Sequence, residues 1–261
     1  MTSAHPFPPA FPTQRTAVIT GGASPRGIGR AIAAEFAGAG DRVALHHRDS
    51  AELAGRLAAS LPGAGHVVVQ ADLADAEAVR AMVDQAASLL GGLDILVNNA
   101  GVFTPHPITD VSYSHWQDQW QATLGVNLIG AANATWCAVQ HMKGRGGRII
   151  NVSSRGAFRG EPNSPAYGAS KAGLNSLSQS LARALAPHGI AVSAVAPGFV
   201  ATDMTNEHLK PPRGDEIRAQ SPFGRVAEPE EIAAAVLYLA SERAEWASGA
   251  VLDLNGASYL R

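Results

Sequence analysis

Seven short apolar runs recur along this chain, and each but the last is followed by a longer Ala- and Leu-rich stretch of helical period. The runs are Thr16–Thr20, Arg42–His46, His66–Gln70, Ile95–Asn98, Arg148–Val152, Ala191–Ala196 and Ala250–Asp253, each of the length and character of a buried strand. Between them the helical period falls on Ile28–Ala39, Ser50–Ala59, Ala76–Leu90, His115–Met142, Tyr167–Ala186 and Pro229–Ala240. In the last of these, Glu228-Pro229 sets the start, and acidic residues fill the first turn, where the helix dipole favours them. Strands buried on both faces and joined by helices require a parallel sheet covered on both sides. The expected fold is therefore α/β: a single doubly wound, mostly parallel seven-stranded sheet with helices on both faces, with one domain over 15–261. The Pro- and Phe-rich segment 1–14 has neither a basic start nor an apolar core of signal-peptide length, and reads as a flexible leader.

Composition narrows the partners. The net charge is −2 in 261 residues and 16% of the chain is charged, which gives no electrostatic reason to bind nucleic acid or an anionic membrane surface. Charge, amide or glycine interrupts the longest apolar runs, so no membrane span is expected. The lone cysteine, Cys137, excludes an internal disulfide and a Cys-rich metal site, and suits a reducing, cytoplasmic location. His46 and His47 are adjacent, but strand neighbours point to opposite faces, and no other grouping has ligand spacing, so no metal is expected.

Two local patterns carry chemistry. The first strand runs into Thr20-Gly21-Gly22-Ala23-Ser24-Pro25-Arg26-Gly27-Ile28-Gly29. Glycines at a strand-to-helix junction let the backbone turn sharply and approach a pyrophosphate, with the helix N-terminus aimed at it. The second pattern is Ser153-Ser154 at the end of the fifth strand, followed by Tyr167 and Lys171. Tyr167 and Lys171 lie four apart and share a helix face. A carbonyl that accepts hydride becomes an alkoxide and needs a proton, which a phenol can donate. The ordinary phenol value near 10 would have to fall, at a cost of about 4 kcal/mol, and a neighbouring ammonium is suited to lowering it. Ser154 can hold the carbonyl oxygen.

Taken in order, these motifs resemble the short-chain dehydrogenase/reductase family, over about Arg15 to Gly256. Gly21, Gly27 and Gly29 fall on the family's glycine loop, although five residues separate Gly21 from Gly27 where the family has three. The resemblance implies that Asn127, Ser154, Tyr167 and Lys171 are catalytic, with Asn127 interrupting its helix and holding a water that links Lys171 to solvent. It places Asp72 and Leu73 at the adenine. Asn99, Ala100 and Gly101 would pass against the cofactor, and Pro197, Gly198, Val200 and Thr202 would lie around the carboxamide. Ser24, Arg26 and Ile28 would line the phosphates. At the end of the second strand, where an NAD enzyme places an acid, His47 and Arg48 stand instead. A guanidinium there, Arg48 first and Arg26 second, would grip a 2′-phosphate, so NADP(H) is preferred, with NAD(H) as the lesser option.

The segment 203–221 falls where the family carries its substrate lid. The substrate is expected to be a small carbonyl or alcohol, with a carrier-linked 3-oxoacyl thioester as the default ketone. A non-catalytic dinucleotide-binding regulator of the same fold is the alternative. Arg155 and Arg159 are expected at the substrate mouth, where one of them, Arg159 in preference, would favour an anionic tail. Ala131, Ala132, Ala134, Ala138, Ala172, Gly173 and Ala182 spread around two helices, more than one sheet face can cover. With the family's pairing of those helices, this implies a homotetramer. Trp120 is expected in the core or at an oligomer contact.

Overall fold

The computed structural model describes residues 14–261, so the expectation of a leader lies, apart from Gln14, outside the described residues. The chain alternates as expected. Strands β1 (Thr16–Ile19), β2 (Arg42–His47), β3 (Val67–Gln70), β4 (Ile95–Asn98), β5 (Gly147–Val152), β6 (Ile190–Pro197) and β7 (Val251–Leu254) form one sheet in the order β3-β2-β1-β4-β5-β6-β7. Every pairing is parallel. Helices α1 (Ile28–Gly38), α2 (Ala51–Ser60), α3 (Ala76–Leu90), α4 (Tyr113–Leu124), α5 (Ala131–Met142), α6 (Gly156–Arg159), α7 (Pro165–Leu185), α8 (Arg213–Ala219) and α9 (Pro229–Leu239) connect them.

Strand alternation sorts the core into two layers. Ala17, Ile19, Val43, Leu45, Ile95 and Val97 face Ile32 and Phe36 of α1 and Ile232 and Val236 of α9. Their neighbours Val18, Ala44 and Leu96, with Ile149, face Val79, Met82 and Val83 of α3 and Ala134, Ala138 and Met142 of α5. Local signals set the helix ends. Asp75 caps α3 by accepting the Glu77 and Ala78 N–H groups, and Gly91 ends it in the left-handed region at φ 77°, as free helix termini demand. Glu228 and Glu231 form a capping box around Pro229 at the start of α9.

One helix that the period alone reads as continuous is interrupted at Asn127, as the family resemblance implies. The stretch read as a single helix from His115 to Met142 begins at Tyr113 and is divided by a π-helical segment, Gly125–Gly130. Tyr113–Met142 as a whole is also long and apolar enough, by length and composition, to cross a membrane, contrary to the reading of interrupted runs. In this fold half of its most apolar window is buried, against α3 and α7; the hydropathy is that of a helix packed into a core.

Candidate active site

The strand order reverses between β1 and β4, and in such sheets ligands bind beyond the carboxyl ends of the strands, at that reversal. A cleft of about 560 Å³ opens there, bounded by the loops that leave β1, β2, β4, β5 and β6. Every residue expected around a dinucleotide borders it except Arg26.

At one end of the cleft, β5 delivers a serine pair and α7 delivers the tyrosine and lysine. Pro165, preset for a first helical turn, starts α7 just before Tyr167. Ser153 turns away from the cleft chemistry and donates to the Lys171 carbonyl at 3.3 Å. Ser154 lies close enough to the Tyr167 hydroxyl to favour its phenolate and accepts from the Gly156 N–H at 3.0 Å. Lys171 is buried; its Nζ donates to the Val152 carbonyl at 2.8 Å and lies 5.7 Å from the Tyr167 ring centroid. Asn127 sits in the π-helical turn, whose wider winding carries its amide inward. It accepts from Val102 N–H at 2.8 Å, and donates to Val102 O at 3.0 Å and Ser170 Oγ at 3.1 Å. The loop after β4 is thereby stitched to the turn between Tyr167 and Lys171. A Cβ on Gly101 would stand 3.4 Å from both Asn127 Oδ1 and Lys171 Nζ, so the chain passes tightly over both groups.

The electrostatics reverse one expectation. Tyr167 does not become more acidic: burial pushes its phenol up to about 12, Ser154 opposes this, and Glu161 adds to it. Burial also brings Lys171 down to about 8. The protein's own groups thus hold Tyr167 as a protonated donor and Lys171 as a cation at neutral pH.

The middle and far end of the cleft have the features of a dinucleotide site. Gly21 adopts φ 68°, and a Cβ there would meet Ala100 Cα at 2.8 Å, so the loop closes directly on the Asn-Ala-Gly segment. Asn99 holds this junction by donating from Nδ2 to the Thr20 and Gly21 carbonyls. Gly27, with no side-chain cap, leaves the first N–H groups of α1 facing the cleft. Leu73 is buried in the wall, and exposed Asp72 accepts the Ala74 N–H at 2.9 Å. Thr202 joins Thr205, whose hydroxyl also reaches the Val200 carbonyl.

The two histidines behave differently. His46, passed over in the sequence except as a metal candidate, is a clamp: its Nδ1 accepts the Gly21 N–H and its Nε2 donates to the Ala71 carbonyl, both at 3.0 Å. Burial lowers its pKa, consistent with the neutral ring this bonding needs. His47 is buried in the cleft wall with Nδ1 lacking any hydrogen-bond partner. A buried polar atom unpaired at a ligand cleft is what a bound hydroxyl or phosphate would satisfy. With the tight glycines and the open helix N-terminus, it makes the residues present fit a dinucleotide.

The arginines are placed less simply. Arg48 borders the cleft, but its Nε donates to Asp49 at 2.6 Å, so part of its charge is engaged. Arg26 points out of the cleft and pairs with Asp203 at 2.9 Å; Ser24 and the Arg26 backbone bind the same carboxylate. Ser24 and Arg26 of the lengthened loop thereby reach the start of the segment 203–221, while Ser24 and Pro25 also border the cleft. Arg159 is exposed and Arg155 is buried elsewhere, so neither lies at the mouth of the cleft. Phe103 and His106 were not singled out in the sequence. Phe103 packs edge-on to Tyr167, centroids 4.9 Å apart. The His106 Nε2 accepts from Ala166 N–H, one residue before Tyr167, while its Nδ1 donates to Thr104. Isolated aromatic residues in a loop carry no period by which to find them.

The fold and the cleft define a dinucleotide-binding α/β oxidoreductase. Residues 21–256 match the family model described as Enoyl-(Acyl carrier protein) reductase. A 3-oxoacyl-[acyl-carrier-protein] reductase of Staphylococcus aureus is 36% identical, over 94% of this chain and 98% of that protein. L-rhamnose 1-dehydrogenase (NAD(P)(+)) of Azotobacter vinelandii is 38% identical, over 94% and 97%. Among solved structures, a short-chain dehydrogenase from Burkholderia cenocepacia in complex with NADP superposes with a TM-score of 0.84 at 35% identity, covering 94% of this chain and 97% of that one. A short-chain dehydrogenase/reductase from Brucella melitensis gives 0.87 at 34%, covering 95% and 97%. The chain belongs to the short-chain dehydrogenase/reductase family, and it is an oxidoreductase that moves a hydride between a nicotinamide dinucleotide and a carbonyl/alcohol pair.

Proposed function

We propose that this protein is an NADP(H)-preferring ketoreductase whose catalytic groups are Asn127, Ser154, Tyr167 and Lys171. The observation that carries the reading is the convergence of Ser154 on the Tyr167 hydroxyl, with buried Lys171 one helical turn on, at the end of a dinucleotide-sized cleft. When bound, the nicotinamide supplies the hydride. Ser154 donates a hydrogen bond to the substrate oxygen and holds it beside Tyr167. As negative charge gathers on that oxygen, the Tyr167 hydroxyl passes its proton across. The Lys171 ammonium offsets the phenolate left behind, and Asn127 keeps Val102 and the catalytic helix in register. The water held by Asn127 in the family would restore the proton through Lys171.

Cofactor choice rests on the end of β2. The strand itself ends on His47 and Arg48 without an acid; Asp49, which follows, takes only the Arg48 Nε, the Arg48 Nη groups have no acceptor among the described residues, and His47 Nδ1 lacks a partner. The substrate is a small ketone, with a carrier-linked 3-oxoacyl thioester favoured by the 3-oxoacyl reductase relatives and a sugar by the rhamnose dehydrogenase. We place the enzyme in the cytoplasm, a reading supported by the reduced, buried Cys137.

The test is a panel of 3-oxoacyl thioesters and simple ketones with NADPH and then NADH, and of sugar lactols with NADP+ and then NAD+, followed by the absorbance of the reduced cofactor. Turnover of a ketone with NADPH at a higher kcat/KM than with NADH is expected. Arg48→Ala should narrow that gap by about 10- to 100-fold, the worth of one charge-assisted contact. Tight NADPH binding without turnover on every carbonyl would favour the regulatory alternative. Equal weakening of both cofactors would make Arg48 structural.

A further inference from the structure

Ser154 and Arg155 are neighbours in sequence that face different cavities. Ser154 borders the main cleft, while Arg155 borders a second pocket of about 230 Å³ behind it. The exit of β6 divides in the same way: Gly198 and Val200 line the cleft and Phe199 lines the pocket. The Arg155 N–H bonds the Pro197 carbonyl at 2.9 Å, tying the two segments together.

The charge in this pocket is unbalanced. Arg155 is only 4% exposed. Its guanidinium hydrogen-bonds two neutral oxygens, Ser258 Oγ and, at 2.6 Å, Gln220 Oε1, and lies 5.0 Å from the Phe199 ring centroid. Among the described residues no carboxylate pairs with it. Glu161 acts only at longer range, and Arg159 opposes it. The one carboxylate of the pocket wall, Glu231, is already spent: Arg225 grips it at 2.6 and 2.8 Å, and the Glu228 N–H adds a third bond. Burial accordingly lowers the Arg155 pKa. A desolvated cation without an anion is costly, and a planar guanidinium backed by an aromatic ring is shaped for a carboxylate. Ile217, Phe199 and Phe223 supply apolar wall around it, and Phe223 is 75% exposed, so the pocket is open to solvent on that side.

We propose that this pocket is a second binding site, separate from the cofactor cleft, for a small carboxylate with a short apolar tail held by Arg155. The test is calorimetric titration of the full chain with sodium butyrate and with butyramide at constant ionic strength, with and without saturating NADPH. Butyrate should bind saturably, with the same affinity when NADPH is present, and the neutral amide should bind at least about tenfold more weakly. Arg155→Leu should weaken butyrate by at least the same factor. Because that variant strips a buried group, Phe223→Ala provides a milder probe that leaves the guanidinium in place, and it should weaken butyrate about threefold or more. Absence of saturation up to about 50 mM, equal binding of acid and amide, or displacement of butyrate by NADPH would each overturn the proposal. So would unchanged butyrate affinity in folded Arg155→Leu or in Phe223→Ala.

Discussion

In the proposed mechanism Tyr167 gives up a proton although burial has made it a weaker acid, and the resolution lies in what surrounds it. Ser154 is the one neighbour that draws its pKa down, so much of the stabilisation for a phenolate must arrive with the bound reactants. Tyr167→Phe keeps the ring and its edge contact with Phe103 while removing the proton. Turnover in steady-state assays should fall by about 10²–10⁴, with NADPH affinity by titration nearly unchanged; near-normal turnover in a folded variant would refute the assignment. Lys171 supplies a pH signature. Its pKa, lowered by burial to about 8, leaves it charged below that value and neutral above. Reduction should therefore hold a plateau below about pH 8 and decline as pH rises through it. Tyr167, at about 12, stays protonated throughout and adds no limb. A kcat/KM profile that stays flat from neutrality to pH 9.5 would show that the Lys171 charge is not used.

At the scale of elements, the segment from Asp203 to Ser221 is held to the glycine loop at its first residue. Asp203 accepts from Ser24, from the Arg26 backbone and from the Arg26 side chain, which together hold its carboxyl below the ordinary range. Both charged side chains are substantially exposed, at 62% for Arg26 and 39% for Asp203. Exposed pairs of this kind are worth about 0–1 kcal/mol. Asp203→Ala should therefore leave the Tm almost unaltered and raise the NADPH Kd by at most about fivefold. Limited proteolysis within 203–221 should become faster, since the anchor of that segment is gone. A large loss of Tm would mean that the ion pair supports the core and not the loop alone.

At the scale of the molecule, several apolar side chains remain uncovered. Trp136 and Ile129, on α5 and the π-helical turn, are 63% and 54% exposed; Trp246 and Tyr238, beside β7 and on α9, are 99% and 52% exposed. These are better grounds for assembly than the small residues singled out in the sequence. Of those, Ala131, Ala134, Ala138 and Ala182 are buried within the chain itself, whereas Ala132 and Gly173 are half-buried and Ala172 is exposed. Two separate apolar surfaces suit two twofold contacts, and we expect a homotetramer on that basis. Light scattering at micromolar concentration should give about 108 kDa, four times the 27.0 kDa chain, and Trp136→Glu should yield a smaller species. A monomeric mass for the unaltered protein would refute the assembly.

Periodicity and local turn chemistry determined the fold from the sequence alone. The seven strands and the six helical stretches fall within two residues of where apolar period, caps and glycines placed them; the π-helical turn at Asn127 and the short helices α6 and α8 carry no such period. The glycine loop and the Tyr167–Lys171 face were legible for the same reason, since both are patterns of residues close in the chain. Partner choice was decided only by tertiary structure. Arg26 could have reached a phosphate, but folding brought Asp203 to it from 177 residues away. His46 had no role in the sequence beyond a metal pairing that strand alternation rules out; folding gave it one, with the Ala71 carbonyl after β3 at one nitrogen and Gly21 of the glycine loop at the other. The direction of the Tyr167 shift depended on burial, which no single stretch of sequence contains. Local sequence sets backbone preference, whereas the charge, partners and solvation of a long side chain belong to whichever distant segment folds against it.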